Sequence, residues 1–427
     1  MRRLSYLALA VVVFALSPAP ATANGHTQLA AAAGTAQAKF GISVSISGDT
    51  AVVGAPDEGG VGAAYVFTKQ DGGWIQQATL VSPQPVENGK FGFGVSVDGD
   101  TIVVGEPKSE QELPGPGGAY VFARAGYRWI QQAKLTPSDT RADDSFGFKV
   151  AVSGETVVVG AKGSGMAPTP NTGAAYVFTR SASTWSEQVR LVPSDGGVND
   201  AFGYSVAISR DTIVVGAPGG GLGISVDEGA AYVFTRYESA WSEHAKLVAA
   251  DGAATDGFGD QVAVSGDTVV VGADFDSAGP NAAQGSAHVF VRNGASWTHQ
   301  AKLTAPDGAA VDMFGRSVSV DRDTVVVGAQ WDEPAGAQLL DNHGSVFVFK
   351  RAGGEWSQPT TFTVEGTGSL GVSVAISGHT MLAGAPFTKV GDNAAQGAAY
   401  VFDLRKPTPV AVAGTSESRR SPINRLG

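Results

Sequence analysis

The feature that most constrains this chain is a seventeen-residue phrase that returns seven times without a gap. It reads FGYSVAISRDTIVVGAP at residues 202–218, and the other copies begin at Phe40, Phe91, Phe146, Phe258, Phe314 and Leu370. Successive copies start 51, 55 and then 56 residues apart. Two further markers keep step with it. GAAYVF follows after a loop at 62–67, 173–178, 229–234 and 397–402, with close variants in the other copies. A tryptophan and a leucine come next, as in Trp74/Leu80, Trp129/Leu135, Trp185/Leu191, Trp241/Leu247 and Trp297/Leu303, and Trp356 opens a degraded sixth copy. A fixed period of this length means a row of equal supersecondary units, each of which buries a face only against its neighbours.

Each unit reads as four strands. Val206 and Ile208 alternate with Ser205 and Ala207, the period of a half-buried strand. SGDT, DGDT or SGET then makes a two-residue hairpin, although Arg210 and Arg322 replace glycine in two copies. TIVVG is a continuous β-branched run, as expected of a strand covered on both sides. AAYVF and WSEHAKL supply the third and fourth strands. The expected fold class is therefore all-β: a seven-bladed β-propeller of four-stranded antiparallel blades. The seventh copy stops at Phe402 with no fourth strand, while an orphan, HTQLA, stands at residues 26–30. Leu29 precedes Phe40 by eleven residues, the same interval that separates Leu80 from Phe91. The N-terminal strand is thus expected to complete the last blade and close the ring, which removes an exposed sheet edge.

At these residues the sequence resembles the FG-GAP repeat family, best known from the propellers of integrin α subunits. Phe40-Gly41 and Gly54-Ala55-Pro56 carry the two name-giving motifs, and the resemblance covers about residues 26–402. It implies the propeller fold, in the short-hairpin form found in bacteria. Many integrin-like repeats also hold calcium in the hairpin between the first two strands. Here that hairpin is only two residues long, too short for the six to eight oxygens calcium takes. The family's calcium sites are therefore not carried over.

The first residues read MRRLSYLALAVVVFALSPAPATANG: two arginines, a thirteen-residue run from Leu4 to Leu16 that is apolar but for Ser5, and a small-residue site at Ala21-Thr22-Ala23. Residues 1–23 are expected to be a secretory signal peptide, too short in its apolar run for a membrane span. Residues 24–404 form the propeller, and 405–427, rich in Pro, Ser and Arg, a disordered tail. The expected location is secreted, periplasmic or at the cell surface, with no membrane span in the mature protein. The chain has no cysteine, so neither disulfides nor thiolate chemistry enter. Its net charge of −11 argues against nucleic acid as a partner.

Chemistry is expected on the rim that gathers the loops after each GAP and the connections between blades. These long variable loops are 108–117, 162–172, 219–228, 274–284 and 330–343. Asp144, Asp200, Asp256 and Asp312 each stand two residues before a repeat phenylalanine, with Asp139, Asp195, Asp251 and Asp307 five residues earlier. Such a pattern serves turns and amide capping before it serves a ligand. Asp274 and Asp276, with Asp312 nearby, offer the one start of a calcium site; no other cofactor is expected. Trp331 is the tryptophan outside the repeat slot, flanked by Asp332 and Glu333, with His343 on the same rim. An exposed aromatic beside carboxylates suits a sugar ring or a protein anchor. No Gly-x-Ser-x-Gly elbow, His-x-x-x-His pair or phosphate loop is present. The expectation is a non-enzymatic binding or adhesion module for an extracellular protein or glycan. The alternatives are a glycosidase or lyase using rim carboxylates, and a purely structural surface protein.

Overall fold

The repeated β-branched runs form the strands they predict. The computed structural model describes residues 22–23, 25–107, 117–139, 145–163, 172–197, 200–219, 228–277, 281–333 and 343–406. Most of the expected signal peptide, the tail beyond Lys406, Asp144 and much of the long rim loops lie outside the described residues. Seven antiparallel sheets follow one another, each in the order first, second, third, fourth strand from the axis outward. In blade 4 these are Ser205–Ser209, Thr212–Ala217, Ala230–Tyr237 and Ala240–Leu247. The second strand is buried at every position in blades 1 to 5, which answers to its unbroken apolar run. In blade 6 the outer strand splits into Glu355–Trp356 and Thr360–Phe362 around Pro359, which has no N–H to give the ladder.

Blade 7 is completed from the other end of the chain. His26–Leu29 pairs with Ala398–Asp403 in the register His26↔Phe402, Gln28↔Tyr400 and Leu29↔Ala399. Leu29 is almost fully buried. Asn393 Nδ2 donates to the Gly34 carbonyl at 2.9 Å, which pins the following connection to the last blade. The backbone of Thr22–Ala23 folds back on Thr27 and His26.

The Phe-Gly pair makes the seams between blades. Phe40, Phe91, Phe146, Phe202, Phe258 and Phe314 are fully buried, as is Leu370 in the seventh copy. Phe91 packs with Tyr120 and Phe122 of its own blade against Val52 and Val66 of the one before. Burying one such ring contributes about 1.5–3 kcal/mol. The glycine after it takes φ between +88° and +100° in every copy. Its carbonyl lies where a Cβ on the second-strand glycine of the preceding blade would stand, 1.9 Å away at Gly54 and Gly92. The same contact closes the ring between Gly384 and Gly41.

The opposite rim carries a second ring. In the hairpin Ser209-Arg210-Asp211-Thr212, the Arg210 N–H donates to Ser153 Oγ of the blade before. The same bond runs from Gly99 to Ser47, Gly154 to Asp98, Gly266 to Ser209, Arg322 to Ser265, Gly378 to Asp321, and Gly48 to Ser377, all between 2.6 and 3.2 Å. Arg210 and Arg322 keep the left-handed φ of the glycines they replace, 55° and 54°.

Outer strands are linked too. The Trp129, Trp185, Trp241 and Trp356 indoles donate to Gln77, Gln132, Gln188 and Gln300 of the preceding blade at 2.7–3.2 Å. Gln77, Gln188 and Gln300 also donate onward to turn carbonyls. His244 stands in the glutamine slot of blade 4. It reaches the Ala295 carbonyl at 2.8 Å, but among the described residues the Trp297 indole N–H has no acceptor.

Two outcomes follow. His244→Gln supplies the missing acceptor and should stabilise the protein by about 1 kcal/mol in denaturant unfolding. Leu29→Ala opens a cavity in the closing strand and should lower stability by about 2–5 kcal/mol, seen as a fall in Tm. A Tm matching the parent's would mean that the strand does not hold the ring shut.

Candidate functional site on the loop rim

One position recurs on the rim of five blades. The second residue past the closing alanine of the second strand donates its amide to the connection ahead of the repeat phenylalanine. These bonds are Asp57 to Ala38, Gly219 to Asp200, Phe275 to Asp256, Trp331 to Asp312 and Phe387 to Gly368, at 3.1–3.3 Å. The backbone thus presents the same place to solvent each time. Blades 5, 6 and 7 fill it with an aromatic in succession. Trp331 is 38% exposed and Phe387 49%, and Phe275 is half-buried. Trp331 stands out in the sequence because tryptophan is rare. Phe275 and Phe387 are visible only when the copies are aligned past the GAP motif.

The acidic connections are mostly structural. Asp200, Asp256 and Asp312 each accept the amide three residues before, from Gly197, Ala253 and Ala309. Asp195 is held by Lys246 at 2.7 Å and the Tyr232 hydroxyl at 2.8 Å. Asp139 has Arg190 at 3.2 Å and Tyr176 at 2.7 Å, and Asp251 has Lys302 at 2.7 Å. The tyrosine and the cation face each other across the third and fourth strands, as in Tyr232↔Lys246. In blade 6 that pair is Phe347↔Thr361, so the tyrosine hydroxyl and the cation that hold Asp195 have no counterpart beside Asp307.

The result is a cluster of four acidic residues at blade 6, Asp307, Asp312, Asp332 and Glu333. Asp312 and Asp332 are buried beneath the rim. Burial, with the charges of Asp332, Asp307 and Glu333, pushes the Asp312 carboxyl up to about 6, against the pull of the Ala309 amide. Burial also raises Asp332, helped by Asp307 and Glu333. Glu333 Oε2 lies 3.2 Å from His343 Nδ1. Trp331, Asp332, Glu333 and His343 thus share one rim, with Asp312 beneath. A cavity of about 360 Å³ also opens at blade 4, bordered by Asp195, Asp200, Glu228, Tyr232 and Lys246. There Lys246, Tyr232 and the Gly197 amide already engage the two aspartates, so blade 6 is the stronger candidate.

The three aspartates considered for calcium go separate ways. Asp274 turns toward the axis, where Arg316 Nη1 is 3.3 Å away, and burial next to Asp260 raises its pKa. Asp276 pairs with Lys302 at 2.7 Å. Asp312 caps its own connection. Among the described residues no group of three acids or histidines is gathered as metal ligands, and no helix is long and apolar enough to cross a membrane.

The raised pKa of Asp312 sets a pH dependence. A carboxyl that holds its proton more tightly in the folded state, near 6 rather than 3.8, adds stability below about pH 4 that is lost as pH rises through 6. Asp312→Asn keeps an acceptor for the Ala309 amide and removes the charge. The variant should match the parent near pH 4 and exceed it by about 1–2 kcal/mol at pH 7. Parallel melting curves across that range would show that the carboxylate is not under strain.

The FG-GAP repeat family matches residues 26–67, 74–122, 129–178, 185–234, 241–290, 297–349 and 365–402. No curated protein matches the sequence. The seven matched segments cover most of the chain and correspond to the seven blades, so the protein belongs to the FG-GAP repeat family.

Proposed function

We propose that this protein is a non-enzymatic binding module, exported from the cell, that holds an extracellular glycan or protein on the rim of blades 5 to 7. The observation that carries the reading is the run of Phe275, Trp331 and Phe387 at one equivalent rim position in three adjacent blades. Aromatic faces bind sugar rings and apolar side chains with little loss of conformational freedom. The acids beside Trp331 accept hydroxyls or pair with a cationic group. Catalysis fits the rim less well. Asp312 is buried and bound to a backbone amide, and Asp200 and Asp256 repeat that role in other blades. A residue with equivalents in several copies is placed by the repeat and not by a reaction. The leader-like N-terminus supports export.

The test is binding of the purified protein to a glycan array and to extracellular matrix proteins. Trp331→Ala and Phe387→Ala should each weaken binding by tenfold or more, with Tm unchanged. Equal binding by the variants would remove the rim from the account. Release of reducing sugar from a bound polysaccharide would replace the binding module with an enzyme.

A further inference from the structure

The inner strands border a cavity of about 90 Å³ at the axis, lined by residues including Ser43, Gly94, Lys149, Gln261, Ser317 and Ser373. These occupy one slot of the repeat, two residues after the Phe-Gly glycine. Four copies carry serine there, and each hydroxyl donates to the glycine carbonyl of the next blade. The pairs are Ser43 to Gly92, Ser205 to Gly259, Ser317 to Gly371 and Ser373 to Gly41, at 2.7–2.9 Å. The polar lining at those copies is therefore satisfied. Blade 3 departs from the pattern by placing Lys149 in the slot.

Lys149 is half-buried and borders the cavity, and among the described residues its ammonium has no hydrogen bond or ion pair. The charged groups that act on it come from other blades. Arg316 repels it and Asp260 attracts it. Asp260 is already engaged, by Arg316 Nη1 at 2.8 Å and by the Tyr204 hydroxyl. Asp274 leans on the same guanidinium, and its raised pKa favours the neutral form in mild acid. Arg316 and Asp260 thus cancel, and the positive charge of Lys149 is left over in a confined polar space. Burial and Arg316 together draw the Lys149 pKa down to about 8, as expected of an ammonium without a counter-ion.

We propose that the axial cavity is a binding site for a small anion, of chloride to phosphate size, held by the Lys149 ammonium. The site is separate from the aromatic rim and does not depend on it. A bound anion supplies the absent counter-charge and stabilises the folded ring by mass action.

The experiment is a melting series on the full chain at pH 6, with chloride or inorganic phosphate titrated into a gluconate background of fixed ionic strength. The parent should rise by several degrees and saturate. Lys149→Ser installs the residue that four other copies use, and Lys149→Gln the one in blade 5. Both should fold and lose the anion-dependent rise. Isothermal titration with phosphate should give heat for the parent and none for either variant. A parent that gains no more from chloride or phosphate than from gluconate overturns the proposal, as does a rise that persists in both variants.

Discussion

Successive blades touch backbone to backbone at their inner ends, and this contact governs the rest. A carbonyl from each Phe-Gly pair occupies the space a side chain would need on the neighbouring second strand. At Gly54 a methyl group would meet Gly92 O at 1.9 Å, and at Gly384 it would meet Gly41 O at the same distance. Only glycine allows that approach, and only glycine tolerates without strain the φ near +90° that aims the carbonyl. With the backbones so close, the adjoining phenylalanine is sealed from water and the inner strands form a narrow axis. Hydrophobic burial supplies the adhesion between blades, but the glycines set the distance at which it acts.

The architecture was legible because its signals are periodic. The offset of Leu29 from Phe40 carried ring closure, since a strand that completes a distant blade must keep the phase of the others. What stayed hidden depends on partners one blade away. The first residue of each SGDT turn reads as turn chemistry, yet Ser153 and Asp98 serve as acceptors for amides 57 and 56 residues on. The same holds for His244, whose cost appears only at Trp297. Asp274 and Asp276 look like one ligand pair in sequence. In the fold they part, Asp274 toward Arg316 and Asp276 toward Lys302.

The candidate site shows how a repeat acquires a distinct face. Blade 6 has neither the tyrosine nor the cation that hold the connecting aspartate in blades 3 and 4, and Pro359 has broken its outer strand. Each change alone is a defect in the pattern. Together they leave Asp307, Asp312, Asp332 and Glu333 near one exposed indole, on a scaffold that the unaltered seams keep in place. Individual blades vary at the loops while the inner glycines do not, and the phenylalanine gives way only to Leu370 in blade 7.

The clasp in blade 7 also decides which way the molecule faces. His26 pairs with Phe402, and Asp403 lies opposite Thr380, beside the Ser377–Thr380 turn. The third strand of blade 7 therefore ends on the back of the disc, the side away from Trp331, while Thr22–Ala23 runs back along the perimeter beside His26 and Thr27. A link made through Asp403 would hold the disc from behind and leave the aromatic face turned outward.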